Sequence, residues 1–343
     1  MTTGTRDDHP SVSVLMANYN SAPYLAAAIA SVLGQDFTSL ELILVDDGSS
    51  DGSVALAERI AAGDPRLRVF SGKRFGGPAP VRNFALEQAR GDWVAVVDSD
   101  DLIHPQRFSR LMAAIEASGA DILIDDLAIF DGDGTSGIDT MFEGPLATTP
   151  STISEPTYIR SNFLFGKGTK LGYAKPVIRR AALEENGIRY NETMRIGEDY
   201  DLIVRLLGKG CVMATLPETL YFYRKHSASI SHRLDMTALT ALEATAAAAA
   251  AAPGQLPAVQ AANTARLKSI RRAIGFDRLV SAIKDADVAT ILSLLVRQPS
   301  AFTLLYLPVA ARLRSLFPKK RAAQPEIVSM IADLDRSSVN APQ

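Results

Sequence analysis

Short apolar runs alternate with polar loops and amphipathic stretches through the first 125 residues. Val12–Met16, Leu40–Val45, Arg66–Phe70, Trp93–Val97 and Asp121–Asp125 read as strands, the second apolar throughout except for Glu41. Between them the period changes to helical: Leu25, Ile29, Val32 and Leu33 share one face, with Ser21 placed to cap that helix. Further helices are expected up to about Ala62, from Pro80 to Arg90-Gly91, where Gly91 should supply a left-handed cap, and over Pro105–Ser118. This strand-loop-helix alternation predicts an α/β fold with a Rossmann-like, mixed but mostly parallel sheet, helices on both faces and right-handed crossovers.

The rhythm then loosens. Asp131–Gly137 marks a loop, 148–175 is mixed, and Pro176–Asn186 reads as a strand end followed by a helix. Another helix starts at Gly197-Glu198-Asp199, and Ala214–Leu216 and Tyr221–Tyr223 are two strand-like pieces. Beyond Arg233 the chain becomes helical: an alanine run over Ala246–Ala252 is stopped by Pro253-Gly254, and helical spacing resumes from Asn263 through Leu279, Val288, Leu292 and Leu295 to 302–317. The expected division is a disordered leader (1–11), an α/β domain (12–233), a helical C-terminal region (234–325) and a tail (326–343).

Composition adds limits. In 343 residues, 47% hydrophobic and 22% charged content is that of a globular protein able to bury a core. The single Cys211 excludes an internal disulfide framework and fits a reducing compartment, so a cytoplasmic location is expected. No uninterrupted run of membrane-spanning length occurs, since Ala301–Phe317 is broken by Pro308, Arg312 and Arg314. The net charge of −2 hides a segregation: 266–321 carries twelve Lys or Arg against Asp277, Asp285 and Asp287. That basic segment, with 302–317 leading into Lys319-Lys320-Arg321, suits an anionic membrane surface, peripheral at the inner face of the cytoplasmic membrane; a helix packed on the body with a solvated basic end is the other reading. Nucleic acid is disfavoured, because no aromatic platform is interleaved with the charges.

The chemistry gathers at strand ends. Asp98, Asp100 and Asp101 fall within four positions after an apolar strand, and carboxylates so crowded are relieved by a hard divalent cation that shares its remaining sites with phosphate. A solvated acidic turn before the next helix is the alternative. In open parallel sheets ligands bind beyond the carboxyl ends of the strands, where Tyr19, Asp46, Asp47, Asp98 and Asp100 all lie. Glu198 and Asp199 open a helix, where charge-dipole stabilisation also accounts for them. His226, beside Arg224, Lys225 and Ser227, suits either a structural role or contact with metal or phosphate. Other signals fail. Gly166-Lys167-Gly168-Thr169-Lys170 is not a P-loop and reads as a basic loop over a site or a surface turn. Asp131-Gly132-Asp133-Gly134 lacks the later ligands of a calcium loop and reads as a turn. Ala17–Ser21 holds neither Gly nor Lys, which argues against a nucleotidyltransferase and a dinucleotide-binding dehydrogenase.

In order along the chain, several motifs resemble those of the family 2 glycosyltransferases with a GT-A fold. They are Val12–Asn20, Tyr24-Leu25 with Ser31–Gln35, Val45–Gly52, Arg82-Asn83 with Ala89–Asp92, Asp98-Ser99-Asp100-Asp101 and Gly197-Glu198-Asp199. The resemblance covers about two thirds of the chain and ends near Arg233. It implies transfer of a sugar from a nucleotide-diphosphate sugar donor to a saccharide or lipid-linked acceptor, with inversion. On that pattern 12–125 is the nucleotide-sugar-binding half, and 126–233 carries the acceptor site and the base. Ala17, Tyr19 and Asp46 or Asp47 would hold base and ribose, with Asn20 and Ser99 in the same donor-binding set. Arg82 would approach the nucleotide, Asp98 the ribose, and Asp100, with Asp98 and His226, the Mn or Mg cation; Asp199 would be the general base with Glu198 as neighbour. An inactive sugar-nucleotide-binding module would be expected to lose Asp100 or Asp199, and both are present.

Overall fold

The computed structural model describes residues 9–131, 138–194, 196–226, 235–306 and 325–337. They form two compact units, one from 1–153, 173–227 and 323–343, the other from 154–172 and 228–322.

The first unit is built on a ten-stranded mixed sheet. Its strands are β1 (Val12–Asn18), β2 (Leu40–Asp46), β3 (Leu67–Phe70), β4 (Trp93–Val96), β5 (Leu102–Ile103), β6 (Ile122–Asp131), β7 (Asp139–Thr140), β8 (Ser151–Ile153), β9 (Val177–Arg179) and β10 (Met213–Lys225). The order is β3-β2-β1-β4-β9-β6-β10-β5, with β7 beside β6 and β8 beside β10. β3, β2, β1 and β4 are parallel, and the register Asn18↔Asp46 and Leu15↔Val96 brings their carboxyl ends to one edge. β9 runs antiparallel to both β4 and β6, and β10 is parallel to β6. The start of β9 and the end of β10 therefore meet that same edge.

The sheet is covered by α1 (Ala22–Leu33), α2 (Ser53–Ala61), α3 (Pro78–Gln88), α4 (Arg107–Ser118), α6 (Arg180–Glu185) and α7 (Glu198–Gly208). Valines, leucines and isoleucines of β1 and β2 pack with Leu25, Ile29 and Val32 of α1 in the main core. A last helix, α12 (Pro325–Ser337), closes a second cluster, in which Ile327 and Ile331 meet Ala27, Phe130 and Phe222. The stretch expected to be a tail thus contains a packed helix, its apolar residues spaced four apart on one face.

Several local expectations are corrected. Gly91 is not a left-handed cap; a Cβ there would lie 2.6 Å from the backbone nitrogen of Ser13, so it is glycine for close approach to β1. Ser21 does not cap α1 with its side chain: its hydroxyl donates to Asn18, and Asp51 Oδ2 accepts from the Ala22 backbone N–H at 2.8 Å. The two strand pieces at 214–216 and 221–223 are one strand, β10, which passes Pro217 by register shifts between Leu216 and Tyr221.

Glu41, the polar exception in β2, is a buried hub. Its carboxylate accepts from Ser13 Oγ at 2.7 Å, Arg90 N at 2.8 Å, Arg90 Nε at 3.0 Å and Arg68 Nη1 at 2.8 Å. Burial alone would raise its pKa, but Arg90, Ser13 and Arg68 outweigh that and hold it below the usual carboxylate value. A depressed native pKa means stability present above the unfolded value and lost as pH falls through the native one. Glu41→Gln is therefore expected to cost about 3 kcal/mol at neutral pH. In urea unfolding the difference from wild type should shrink below pH 4.5, the ordinary value for the group.

The second unit is helical: α5 (Glu155–Ser161), α8 (Met236–Ala251), α9 (Pro257–Lys284), α10 (Val288–Arg297) and α11 (Pro299–Phe302). Gly166–Lys170 belongs to this unit, where Lys170 Nζ donates to the Phe163 carbonyl at 2.8 Å. The two units are discontinuous in sequence, 154–172 grouping with the helices and 323–343 with the sheet. Val288, Leu292, Leu295 and Val296 of α10 stay exposed, while Leu294 is buried. The calcium-loop lookalike, apart from Asp131, and most of 302–321, including Lys319-Lys320-Arg321, lie outside the described residues.

Candidate active site

The carboxyl edge of the sheet collects the polar groups in two linked sets of loops. After β1 and β2, Asn18 Nδ2 donates to Asp46 Oδ1 at 2.6 Å and to Ser49 Oγ at 3.1 Å. Asp46 Oδ2 accepts from the backbone of Gly48 at 3.0 Å and Ser49 at 2.8 Å, folding the acidic turn back on itself. Asn20 adopts φ 50, its backbone N–H donating to Ser49 Oγ at 2.9 Å and its Oδ1 accepting from Ser50 N at 2.9 Å. Asp47 Oδ1 accepts from Phe75 N and, at 2.8 Å, from Gly76 N, which fixes the Gly-rich loop before α3. Ala17 is half-buried in register with Val45, whereas the Tyr19 side chain stands out from the loop with its residue 52% exposed.

The second set surrounds Arg82 of α3. Its Nη2 donates to Asp98 Oδ1 at 3.0 Å, and its Nη1 to Glu198 Oε1 at 2.9 Å and Asp199 Oδ1 at 3.0 Å. One guanidinium thus ties the loop after β4 to the first turn of α7. Gly197, at φ 85, makes the left-handed turn that starts this helix with both acids in its first turn. Burial opposes the charge on Arg82, but Asp199 and Asp98 outweigh it and raise its pKa further. Asp98 is also held by Lys175 Nζ at 2.5 Å. Burial would raise the Asp98 pKa, yet Lys175 and Arg82 keep it well below the usual carboxylate range.

Asp98, Asp100 and Asp101 each bring an oxygen within 4.8 Å of the others. Their environments differ. Asp101 is fully buried, accepting from Tyr221 Oη at 2.6 Å and Arg224 N at 2.8 Å, and burial with Asp100 nearby pushes its pKa well up. Asp98 has both oxygens engaged by Arg82 and Lys175. Asp100 Oδ2 meets His226 Nε2 at 2.8 Å, and the imidazole stacks on Tyr24 at 4.9 Å. Burial and the charge of Asp98 raise the Asp100 pKa, with the hydrogen bond to His226 opposing them. Ser99 is buried in the loop between them. Behind the loop, Arg224 donates to the Asp100 carbonyl at 2.9 Å and pairs with Asp335 of α12 at 2.7 Å.

Arg82 thus joins Asp98, Glu198 and Asp199, and the Asp100–His226 pair stands beside them, an Asp100 oxygen lying within 4.8 Å of one of Asp98. Ala17, Tyr19, Asn20, Asp46 and Asp47 sit at the ends of the adjoining strands. Lys175, Tyr221 and the side-chain role of Arg224 carry no signal in the sequence pattern, and Asp101, one of the three crowded carboxylates, turns inward to Tyr221 and Arg224. For Lys175 the signal would have been the antiparallel run of β9, whose start faces the end of β4.

The sequence model of Glycosyl transferase family 2 matches residues 13–186. Over 310 residues the chain is 36% identical to the "Succinoglycan biosynthesis protein ExoO" of Rhizobium meliloti (strain 1021), covering 90% of this chain and 88% of that protein. The chain belongs to glycosyltransferase family 2. The enzyme's sheet has the GT-A architecture of solved relatives. The crystal structure of S. aureus TarS 1-349 in complex with UDP-GlcNAc aligns with TM-score 0.59 at 21% identity, over 96% of this chain and 90% of that one. A mannosyltransferase from Pyrobaculum calidifontis, in complex with GDP-Man and Mn2+, aligns with TM-score 0.54 at 19% identity, over 91% and 88% of the two chains. Among the described residues of this glycosyltransferase no helix is long and apolar enough to cross a membrane.

Proposed function

We propose that the enzyme transfers a sugar from a nucleotide-diphosphate sugar to a hydroxyl acceptor with inversion at the anomeric carbon, in the assembly of a bacterial polysaccharide or glycolipid. The observation that carries this reading is the two-armed grip of Arg82. It puts the acids suited to a diphosphate-bound cation and the acids suited to proton removal on opposite nitrogens of one guanidinium.

The donor set fits a hard divalent ion. Asp101 is fully buried with each oxygen held by a protein donor, so Asp100, with Asp98 and His226 beside it, would hold Mg2+ or Mn2+, the imidazole favouring Mn2+. Such an ion, when bound, neutralises charge on the leaving diphosphate. Arg82 and Lys175 keep Asp98 ionised, and His226 orients Asp100. Asp199 is the base that takes the acceptor proton as the hydroxyl oxygen bonds to the anomeric carbon and the bond to diphosphate breaks. Its side chain is 21% exposed against 10% for Glu198, which favours Asp199 as the residue that meets the acceptor. Ala17, Tyr19, Asn20, Asp46, Asp47 and Ser99 line the strand ends where base and ribose are held.

The acceptor is a saccharide or a lipid-linked saccharide at the inner face of the cytoplasmic membrane. A relative named for succinoglycan biosynthesis supports the polymer, and the exposed Val288, Leu292, Leu295 and Val296 support the membrane. Donor hydrolysis across a panel of UDP-, GDP- and dTDP-sugars, with Mg2+ and with Mn2+, tests the reading. One donor should be cleaved in a metal-dependent manner; binding without cleavage for every donor would instead make the chain a sugar-nucleotide-binding module.

A further inference from the structure

We propose that the helical unit carries an anion site of its own, a cavity that takes a phosphate-bearing group, independent of the catalytic reading above. The cavity is an open pocket of about 600 Å³, built only from residues of that unit. Lys268, Arg271 and Arg272 of α9 and Arg297 at the end of α10 line it, together with the hydroxyls of Ser269 and Ser300. Its size is within the ordinary range of about 300–1,000 Å³ for small-ligand sites.

Charge is the deciding feature. Four cationic side chains share one cavity, and among the described residues no carboxylate lines it. Of the four, Arg271 is partly neutralised by Glu243, 2.8 Å from its Nε. Arg272 Nε is buried without a hydrogen-bond partner among the described residues. The parts of this unit outside the described residues, 228–234 and 307–322, contain neither Asp nor Glu, so they bring no acid to the cavity. Across the whole unit sixteen Lys or Arg stand against six Asp or Glu. Guanidinium groups gathered in this way repel one another unless an anion lies between them, and their planar forks suit the oxygens of phosphate.

The wall of the cavity is also shaped. Gln298, which follows Arg297, lays its side chain over Gly275 of α9, where a Cβ would collide with the carboxamide oxygen. The Ser269 hydroxyl is committed to the Arg266 carbonyl at 2.7 Å, so the Gln298 Nε2 amide and the Ser300 hydroxyl, beside four cations, are the donors that can complete the hydrogen bonding of a phosphate monoester or diester. Two sources share this chemistry: a lipid headgroup, or a soluble phosphate or diphosphate.

The test uses the full chain in EDTA, which silences cation-dependent binding elsewhere. Inorganic pyrophosphate is titrated calorimetrically, and sedimentation is measured with phosphatidylglycerol and with phosphatidylcholine vesicles. The expected result is saturable binding of at least one anionic probe, weakened about tenfold or more in Arg272→Gln/Arg297→Gln and unchanged in Lys284→Ala. Loss of phosphatidylglycerol binding in the double variant assigns the site to a headgroup, and loss of pyrophosphate binding alone assigns it to a soluble anion. Should the double variant fail to fold by circular dichroism, Lys268→Glu, on an exposed position of α9, replaces it with the same expectation. No binding of either probe by wild type, or binding undiminished in a folded variant, overturns the proposal.

Discussion

Asp100→Ala is expected to lower metal-dependent sugar transfer about 10³-fold or more while leaving the fold intact. The three carboxylates after β4 are not equivalent: Asp98 is held by Arg82 and Lys175, and Asp101 by Tyr221 and Arg224, so each is committed to the protein. Among the described residues the Asp100 side chain pairs with His226 alone, and it is 29% exposed. Removing it takes away the acid best placed for a cation, since its neighbours Asp98 and Asp101 are engaged by protein donors. It also relieves repulsion with Asp98, so thermal unfolding should occur at or slightly above the wild-type temperature. A folded variant with wild-type turnover would refute the assignment of this carboxylate.

The second large effect is expected at Asp199. Asp199→Asn keeps the size of the side chain and its contact with Arg82 but can no longer take a proton, so turnover should fall about 10²–10⁴-fold. Donor affinity should change little, because Asp98 and Glu198 still anchor Arg82. Glu198 is a poor replacement. It is more deeply buried, it shares the same arginine nitrogen, and burial and Asp199 raise its pKa. Single-turnover rates with saturating donor, set beside calorimetric donor affinities, separate the two effects. A variant that loses donor binding and turnover in equal measure would make Asp199 a binding group.

Much of the fold and of the site is legible in the sequence. The parallel half of the sheet follows from the apolar runs at 12–16, 40–45 and 93–97, and strand-end acids are where such sheets bind ligands. What periodicity could not supply was pairing across long separations. Lys175 reaches Asp98 only because β9 runs against β4, and nothing local to residue 175 announces that. Gly91 looked like a helix cap because glycine so often ends helices, whereas its reason is the backbone of Ser13, far away in sequence. The helix at 325–337 was hidden by charged neighbours, though Ile327, Ile331 and Leu334 had helical spacing; packing against Phe130 and Phe222 decides it. The buried charge of Glu41 was likewise unreadable, since its partners Arg68 and Arg90 come from other strands and loops.

The central claim is that the acids after β4 take a cation that grips the donor diphosphate. It is tested most directly by titrating the nucleoside diphosphate of the cleaved donor into wild type and Asp100→Ala, each with and without Mn2+. The account predicts that Mn2+ strengthens wild-type binding at least about tenfold and leaves the variant unchanged. Equal strengthening by Mn2+ in both proteins would contradict it.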